Sequence, residues 1–226
     1  MSFDTALRAT EILLALAFIQ QSAEHLWRTP EIRWLFGLRL VVSVVLLVGF
    51  APTLSLLVLT GLSVVALHHF QGPYNGGSDR MSVLILWCLT LAHTLPNPRW
   101  QELAFSYLAL QLTLSYFISG WVKLVNADWR TGTALSDVFA FSAYPVAENM
   151  RALAHSPRLL LTASWAVIAF EVAFPLALFT PLSLIAALAI AATFHLANAC
   201  LFGLNRFFWI WLAAYPSLIW FQARVF

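Results

Sequence analysis

Eight apolar runs succeed one another along this chain, each closed by proline, glycine or a cluster of charge. That alternation restricts the fold more than any other feature. A backbone inside a bilayer finds no water, so only helices and closed barrels can cross it. No strand-like alternation of apolar and polar residues competes here, and the expected fold is an all-α integral membrane bundle of about eight transmembrane helices. The runs cover about residues 6–26, 34–50, 54–70, 81–95, 100–125, 159–180, 182–202 and 207–222. Several lie near the lower limit of roughly 17 residues for a span, so tilted or re-entrant ends are expected. Pro175 predicts a kink in the sixth run. Only 10% of the 226 residues are charged and 61% are hydrophobic, against about 25% charged in a soluble domain. Residues 1–226 are therefore expected to form a single transmembrane domain. A net charge of +2 offers no surface for nucleic acid, and the principal partner is the lipid bilayer.

Residues 126–157 form the longest connection, between helices 5 and 6. Within it, residues 135–144 are amphipathic and predict an interfacial segment or a lid folded back over a cavity. Trp27, Trp34, Trp100 and Trp129 fall near helix ends, where aromatic belts sit. Cys88 and Cys200 both lie in apolar runs and read as free, buried thiols rather than a disulfide. The arginines are more numerous in the odd-numbered loops, which would place both chain termini outside and the Lys123 end of helix 5 in the cytoplasm.

Lys123 closes the fifth run, where an ammonium group meets hydrocarbon at considerable cost. Gln111, Ser115, Ser119 and Lys123 recur every four residues and so share one helix face, which is expected to point inward toward water or a ligand. The alternative is interhelical hydrogen bonding, with Lys123 snorkelling to the interface. His195, Asn198, Phe202 and Arg206 make a second such series on the seventh run, able to bind a quinone-like oxygen or to satisfy one another. Glu171 needs a partner or a proton at its depth, and Lys123, His195 and Arg206 are the candidates. Gln20, Glu24 and His25 make the first run too polar to face lipid on that side. His68 and His69 are adjacent and point apart on a helix, and no Cys or carboxylate stands at ligand spacing, so no metal site is expected. Phosphate loops, nucleophile elbows and dinucleotide fingerprints are absent from the sequence.

The run from Tyr116 to Gly132, with Tyr116-Phe117-Ile118, Gly120, Lys123-Leu124, Ala127-Asp128-Trp129 and Gly132, resembles the signature of the HTTM (horizontally transferred transmembrane) domain family. It is similar to the membrane domain of vitamin K-dependent gamma-glutamyl carboxylase. A second block agrees in order and separation: Phe194-His195, Asn198, Leu201-Phe202, Phe207 and Ala213-Ala214-Tyr215-Pro216. The resemblance implies that Lys123 is the base acting on reduced vitamin K or another quinol, at a site facing the lumen rather than the cytoplasm. An apolar surrounding favours the neutral amine that such a base requires. His195 is then expected to assist catalysis, with Asn198, Glu171 and Trp129 at the cofactor site and the polar line of Gln111, Ser115 and Ser119 beside them. An isoprenoid quinone would reach that site from the bilayer. The carboxylase has a functional histidine in the stretch matching residues 74–79, where this chain has none, so His68, His69 or His93 would have to stand in. Because the chain stops at Phe226, carboxylation of a peptide is expected to need a partner protein.

Two functional classes follow. One is a quinol-using, epoxidase- or carboxylase-like (lyase or oxidoreductase) enzyme of the membrane, expected in a bacterial cytoplasmic (inner) membrane. The other is a non-catalytic partner for maturation or export of a peptide, or a lipid- or quinone-binding module. A transporter is disfavoured because no inverted-repeat halves are visible.

Overall fold

A computed structural model describes residues 1–28, 30–69, 76–141 and 148–226, and every regular element among them is helical. The long helices are α1 (Phe3–Arg28), α2 (Arg33–Val48), α3 (Pro52–His69), α4 (Gly76–Thr94) and α5 (Pro98–Val125). Three short helices follow: α6 (Ala127–Thr131), α7 (Thr133–Phe141) and α8 (Glu148–Arg151). Then come α9 (Pro157–Ala173), α10 (Pro181–Phe202) and α11 (Asn205–Val225). Each of the eight apolar runs therefore has its helix. Three of these are long and apolar enough to cross a membrane by length and composition: α5, α9 with its continuation to Phe179, and α10.

The boundaries follow local chemistry. Pro52, Pro98, Pro157 and Pro181 occupy first helical positions, where the missing N–H costs nothing and the fixed φ suits a helix. Thr180 caps α10 reciprocally with Ser183: each side chain accepts from the other's backbone N–H. The kink predicted at Pro175 is a switch from α-helix to 3-10 helix over Phe174–Phe179. Trp27, Trp34 and Trp100 stand exposed at helix ends, as an aromatic belt requires.

The chain divides into two compact units, residues Met1–Leu110 with Arg206–Val225, and Gln111–Asn205 with Phe226. In the first unit α1 packs along α2, α2 against α3, and α3 against α4. Phe3, Phe105 and Trp220 form an aromatic trio with centroids 5.3–5.8 Å apart. The polar half of α1 turns inward, with Gln21, Ser22 and His25 all buried. Glu11 on the same helix is only 2% exposed. Arg8 Nη1 donates to its Oε2 at 2.8 Å, and His93 Nε2 bonds Oε1. The same guanidinium donates to the carbonyls of Leu46 and Leu47 at the end of α2, at 2.9 and 2.6 Å. One arginine thus offsets a buried carboxylate and satisfies carbonyls that a helix end leaves open.

In the second unit α10 carries apolar residues on every side. Leu184, Leu188, Ala191 and His195 make its buried face, while Leu182, Ile185, Ile190 and Leu196 point outward, the pattern of a helix whose far side meets lipid. The segment between α5 and α9 folds back as α6 and α7. Phe139 of α7 packs on Leu160 and on Phe202 in one cluster, while Phe141 is exposed, so α7 is amphipathic as read. Residues 142–144 of the predicted interfacial stretch lie outside the described residues.

Two sequence readings are corrected. Cys88 is buried, but Cys200 is exposed on α10, since it shares the outward face with Leu196. Arg206 does not extend the His195–Asn198–Phe202 series: α10 stops at Phe202 and Arg206 lies in the first turn of α11.

Replacing Arg8 by Met leaves Glu11 with His93 alone and takes the side-chain donor from the Leu46 and Leu47 carbonyls. We expect a loss of about 2–4 kcal/mol, measured as a shift of the unfolding transition in mixed micelles.

Candidate functional site

The site grows from α5 and α9. Gly120 lets their backbones touch. A Cβ built there would lie 2.6 Å from Val172 N and 2.7 Å from Glu171 Cβ, distances that no side chain tolerates. The approach brings Lys123, one turn further along α5, to Glu171. Lys123 Nζ donates to Oε2 at 2.7 Å and to Oε1 at 3.0 Å, and to the Ser119 carbonyl at 3.4 Å. Glu171 is 4% and Lys123 17% exposed at the side chain. Of the three candidate partners of Glu171, the fold selects Lys123.

The connection after Lys123 is built to carry Trp129. Asn126 caps α6 by accepting from Asp128 N at 2.9 Å. Gly132 ends it with φ 81° and leaves 3.0 Å between its ideal Cβ and Leu161 of α9, so this turn needs glycine twice over, for its dihedral and for space. Ser164 Oγ donates to the Trp129 carbonyl and Trp165 Nε1 to that of Arg130 at 3.1 Å. Held in this way, the Trp129 ring lies 5.2 Å from Lys123 Nζ, within cation–π range.

His195 is buried and hydrogen-bonded to the Tyr116 hydroxyl at 2.9 Å through Nε2. Tyr116 in turn stacks on Phe174 at 4.1 Å. Tyr116 was not singled out as a site residue from sequence. Its position two turns before Lys123 was the available signal. The polar line itself is placed differently from the expectation. Gln111, Ser115, Ser119 and Lys123 are half-buried, whereas the buried row of α5 is Leu112, Tyr116 and Gly120, one residue round. Asn198 is half-buried on α10, one turn from His195.

The same two helices also wall an open apolar groove of about 410 Å³, lined by Phe117, Leu124, Trp165, Ile168, Val172 and Leu176 among others, with neither Lys123 nor Glu171 in its lining. Its walls carry no hydrogen-bonding side chain beyond the Trp165 indole, which is already engaged. The groove suits a hydrocarbon chain, and the chain neighbours of Lys123 and Glu171, Leu124 and Val172, line it.

The histidines proposed as stand-ins divide. His93 is held by Glu11, His68 is exposed, and the His69 side chain lies outside the described residues, as do residues 74 and 75 of the stretch matched to the carboxylase histidine. Among the described residues no three His, Cys, Asp or Glu side chains gather as a metal site.

The HTTM domain matches residues 86–223, well over half of the chain. The chain belongs to the HTTM domain family. HTTM domains are found in vitamin K-dependent carboxylase-like membrane proteins. The match takes in Lys123, Glu171, Tyr116 and His195, and leaves α1 to α3 outside. No curated protein and no solved structure matches the chain. The HTTM motif residues thus have structural duties here: Gly120 and Gly132 permit close approach, and Ala127-Asp128-Trp129 form the first turn of the short helix that carries the indole.

Gly120→Ala should cost about 1–3 kcal/mol through forced separation of α5 and α9. Gly61→Ala, where nothing lies within 4 Å of the added carbon, should leave stability unchanged or raised. Unfolding in mixed micelles distinguishes the two.

Proposed function

We propose that this HTTM protein is a membrane enzyme that uses a reduced quinone, with Lys123 as the base. The observation that carries the reading is the largely buried Lys123–Glu171 pair on α5 and α9, the two helices that also wall an apolar groove. A reduced quinone supplies a ring hydroxyl that can give up a proton and, with oxygen, a two-electron reductant. The groove residues Phe117, Leu124, Val172 and Leu176 would hold its isoprenoid tail, and Ser115, Ser119 and Gln111 would hydrogen-bond the polar head. Trp129 covers Lys123 and limits water. Tyr116 orients the His195 ring through Nε2, and Asn198 shares that helix face.

Glu171 makes the proposed role chemically workable. Moving one proton from Lys123 Nζ to Glu171 leaves an amine and a carboxylic acid, and removes both charges from an apolar site. The amine can then accept a proton from a hydroxyl group while Glu171 holds the first proton 2.7 Å away; once the hydroxyl's proton has passed from Lys123 to water, Glu171 returns its own and the ion pair is restored. All eight long helices are taken to cross one membrane, a bacterial cytoplasmic membrane, as a single domain, with peptide chemistry supplied by a partner protein.

The second reading is a non-catalytic membrane partner or quinone-binding module. Both Glu171 oxygens already accept from Lys123, which is also what a purely structural ion pair does.

The two readings separate on a charge-neutral double variant, since Lys123→Ala alone leaves a buried carboxylate uncompensated at about 3–5 kcal/mol. Lys123→Met with Glu171→Gln should fold, keep quinone at the level of the parent protein by mass spectrometry of the purified material, and lose quinol oxidation by at least a hundredfold. Undiminished turnover would falsify the base assignment. Parent protein that carries no quinone and oxidises none favours the partner reading.

A further inference from the structure

A second polar site lies within the first unit, and nothing in the quinol reading uses it. Arg39 of α2 is 4% exposed, with its guanidinium 3.8 Å above the Phe18 ring. Its Nη2 donates to Gln21 Oε1 of α1, and Gln21 donates in turn to the Asp79 carboxylate of α4. A polar chain thus runs through three helices. Arg39 Nε stands outside it: this nitrogen is buried and has no hydrogen-bond partner among the described residues. The same holds for Ser63 Oγ of α3, in a residue 5% exposed. Both side chains line one small cavity, and Gln21, Asp79 and Ser82 line it with them.

A buried donor without a partner is costly, the more so on a charged group. Arg39 Nε–H needs an acceptor, whereas the Ser63 hydroxyl can donate or accept. One small molecule able to do both satisfies the two atoms together. The cavity measures about 20 Å³, where roughly 10–15 Å³ admits one water. It therefore takes one water and nothing larger. Buried waters make about three hydrogen bonds, and Ser82 and Asp79 supply the polar wall for a third. Ser22 of α1 provides a contrast. Its Oγ also lacks a partner among the described residues and the residue is 0% exposed, but it does not line this cavity.

We propose that the cavity beside Arg39 is a binding site for a single water molecule, which accepts from Arg39 Nε–H and bridges it to Ser63 Oγ. The water joins α3 to the chain of Asp79, Gln21 and Arg39, so that one hydrogen-bonded series links α1, α2, α3 and α4. A guanidinium deep among apolar helices is then held on both edges, by Gln21 on one and by water on the other.

Two serine variants of the purified full chain in mixed micelles make the comparison. Ser22→Ala removes a hydroxyl that bonds nothing, and should leave the unfolding midpoint unchanged or raised. Ser63→Ala removes one leg of the bridge. It should lower the midpoint by about 2–4 °C, the shift that one net hydrogen bond gives in a chain of this size. The same response from both variants overturns the proposal. The direct readout is a crystal structure of the full chain grown in lipid with sodium bromide. The expected result is a single density peak about 2.7–3.2 Å from both Arg39 Nε and Ser63 Oγ, with no anomalous signal. An anomalous bromide peak at that place assigns an anion and overturns the water. Ordered Arg39 and Ser63 side chains with no peak between them overturn it too. Where the two measurements differ, the density decides.

Discussion

A lysine and a glutamate 48 residues apart neutralise each other at the foot of α5, and the second unit is arranged around that contact. Neither charge is tolerable alone among apolar helices, so their pairing constrains everything that brings them together. Gly120 removes the side chain that would keep α5 and α9 apart. Gly132 lets the chain turn back against α9, and Ser164 and Trp165 hold the returning backbone. The Trp129 ring then lies 5.2 Å from the ammonium. A motif that reads as a string of unrelated letters is one mechanical arrangement for enclosing an ammonium group.

The first unit meets the same constraint by other means. Glu11 is offset by Arg8 and His93, and Arg8 also satisfies the carbonyl end of α2. Arg39 rests on Phe18 and Gln21. Polar groups are concentrated where helices meet, while outer faces of α3, α5 and α10 carry leucine, isoleucine and valine. Charge in lipid is thereby confined to a few well-partnered places, and those places are where chemistry can be sought. The quinol reading draws on one of them.

Much of the architecture was legible in the sequence because helix boundaries are local. Pro52, Pro98, Pro157 and Pro181 stop one apolar run and start the next, and Thr180 with Ser183 caps its helix without help from any distant residue. Lys123 was conspicuous for the same local reason, a charge at the end of an apolar helix. The site was less legible. The four-residue recurrence of Gln111, Ser115, Ser119 and Lys123 identified a helix face but not how deeply it would be covered, and the buried row proved to be Leu112, Tyr116 and Gly120. Periodicity gives the angle between side chains, not the direction of the neighbouring helix.

The sequence by itself determined that this chain is helical, apolar and interrupted at defined points, and that Lys123, Glu171 and His195 each required an explanation. Backbone hydrogen bonding in lipid and proline geometry are enough for that, since both act within a few residues. The tertiary structure alone decided the partners. Glu171 could have met Lys123, His195 or Arg206. It meets Lys123, while Tyr116 holds His195 and Arg206 turns to His25. Those choices depend on which helices lie side by side and at what depth, a property of contacts between residues dozens to hundreds of positions apart, and no spacing along one helix contains it.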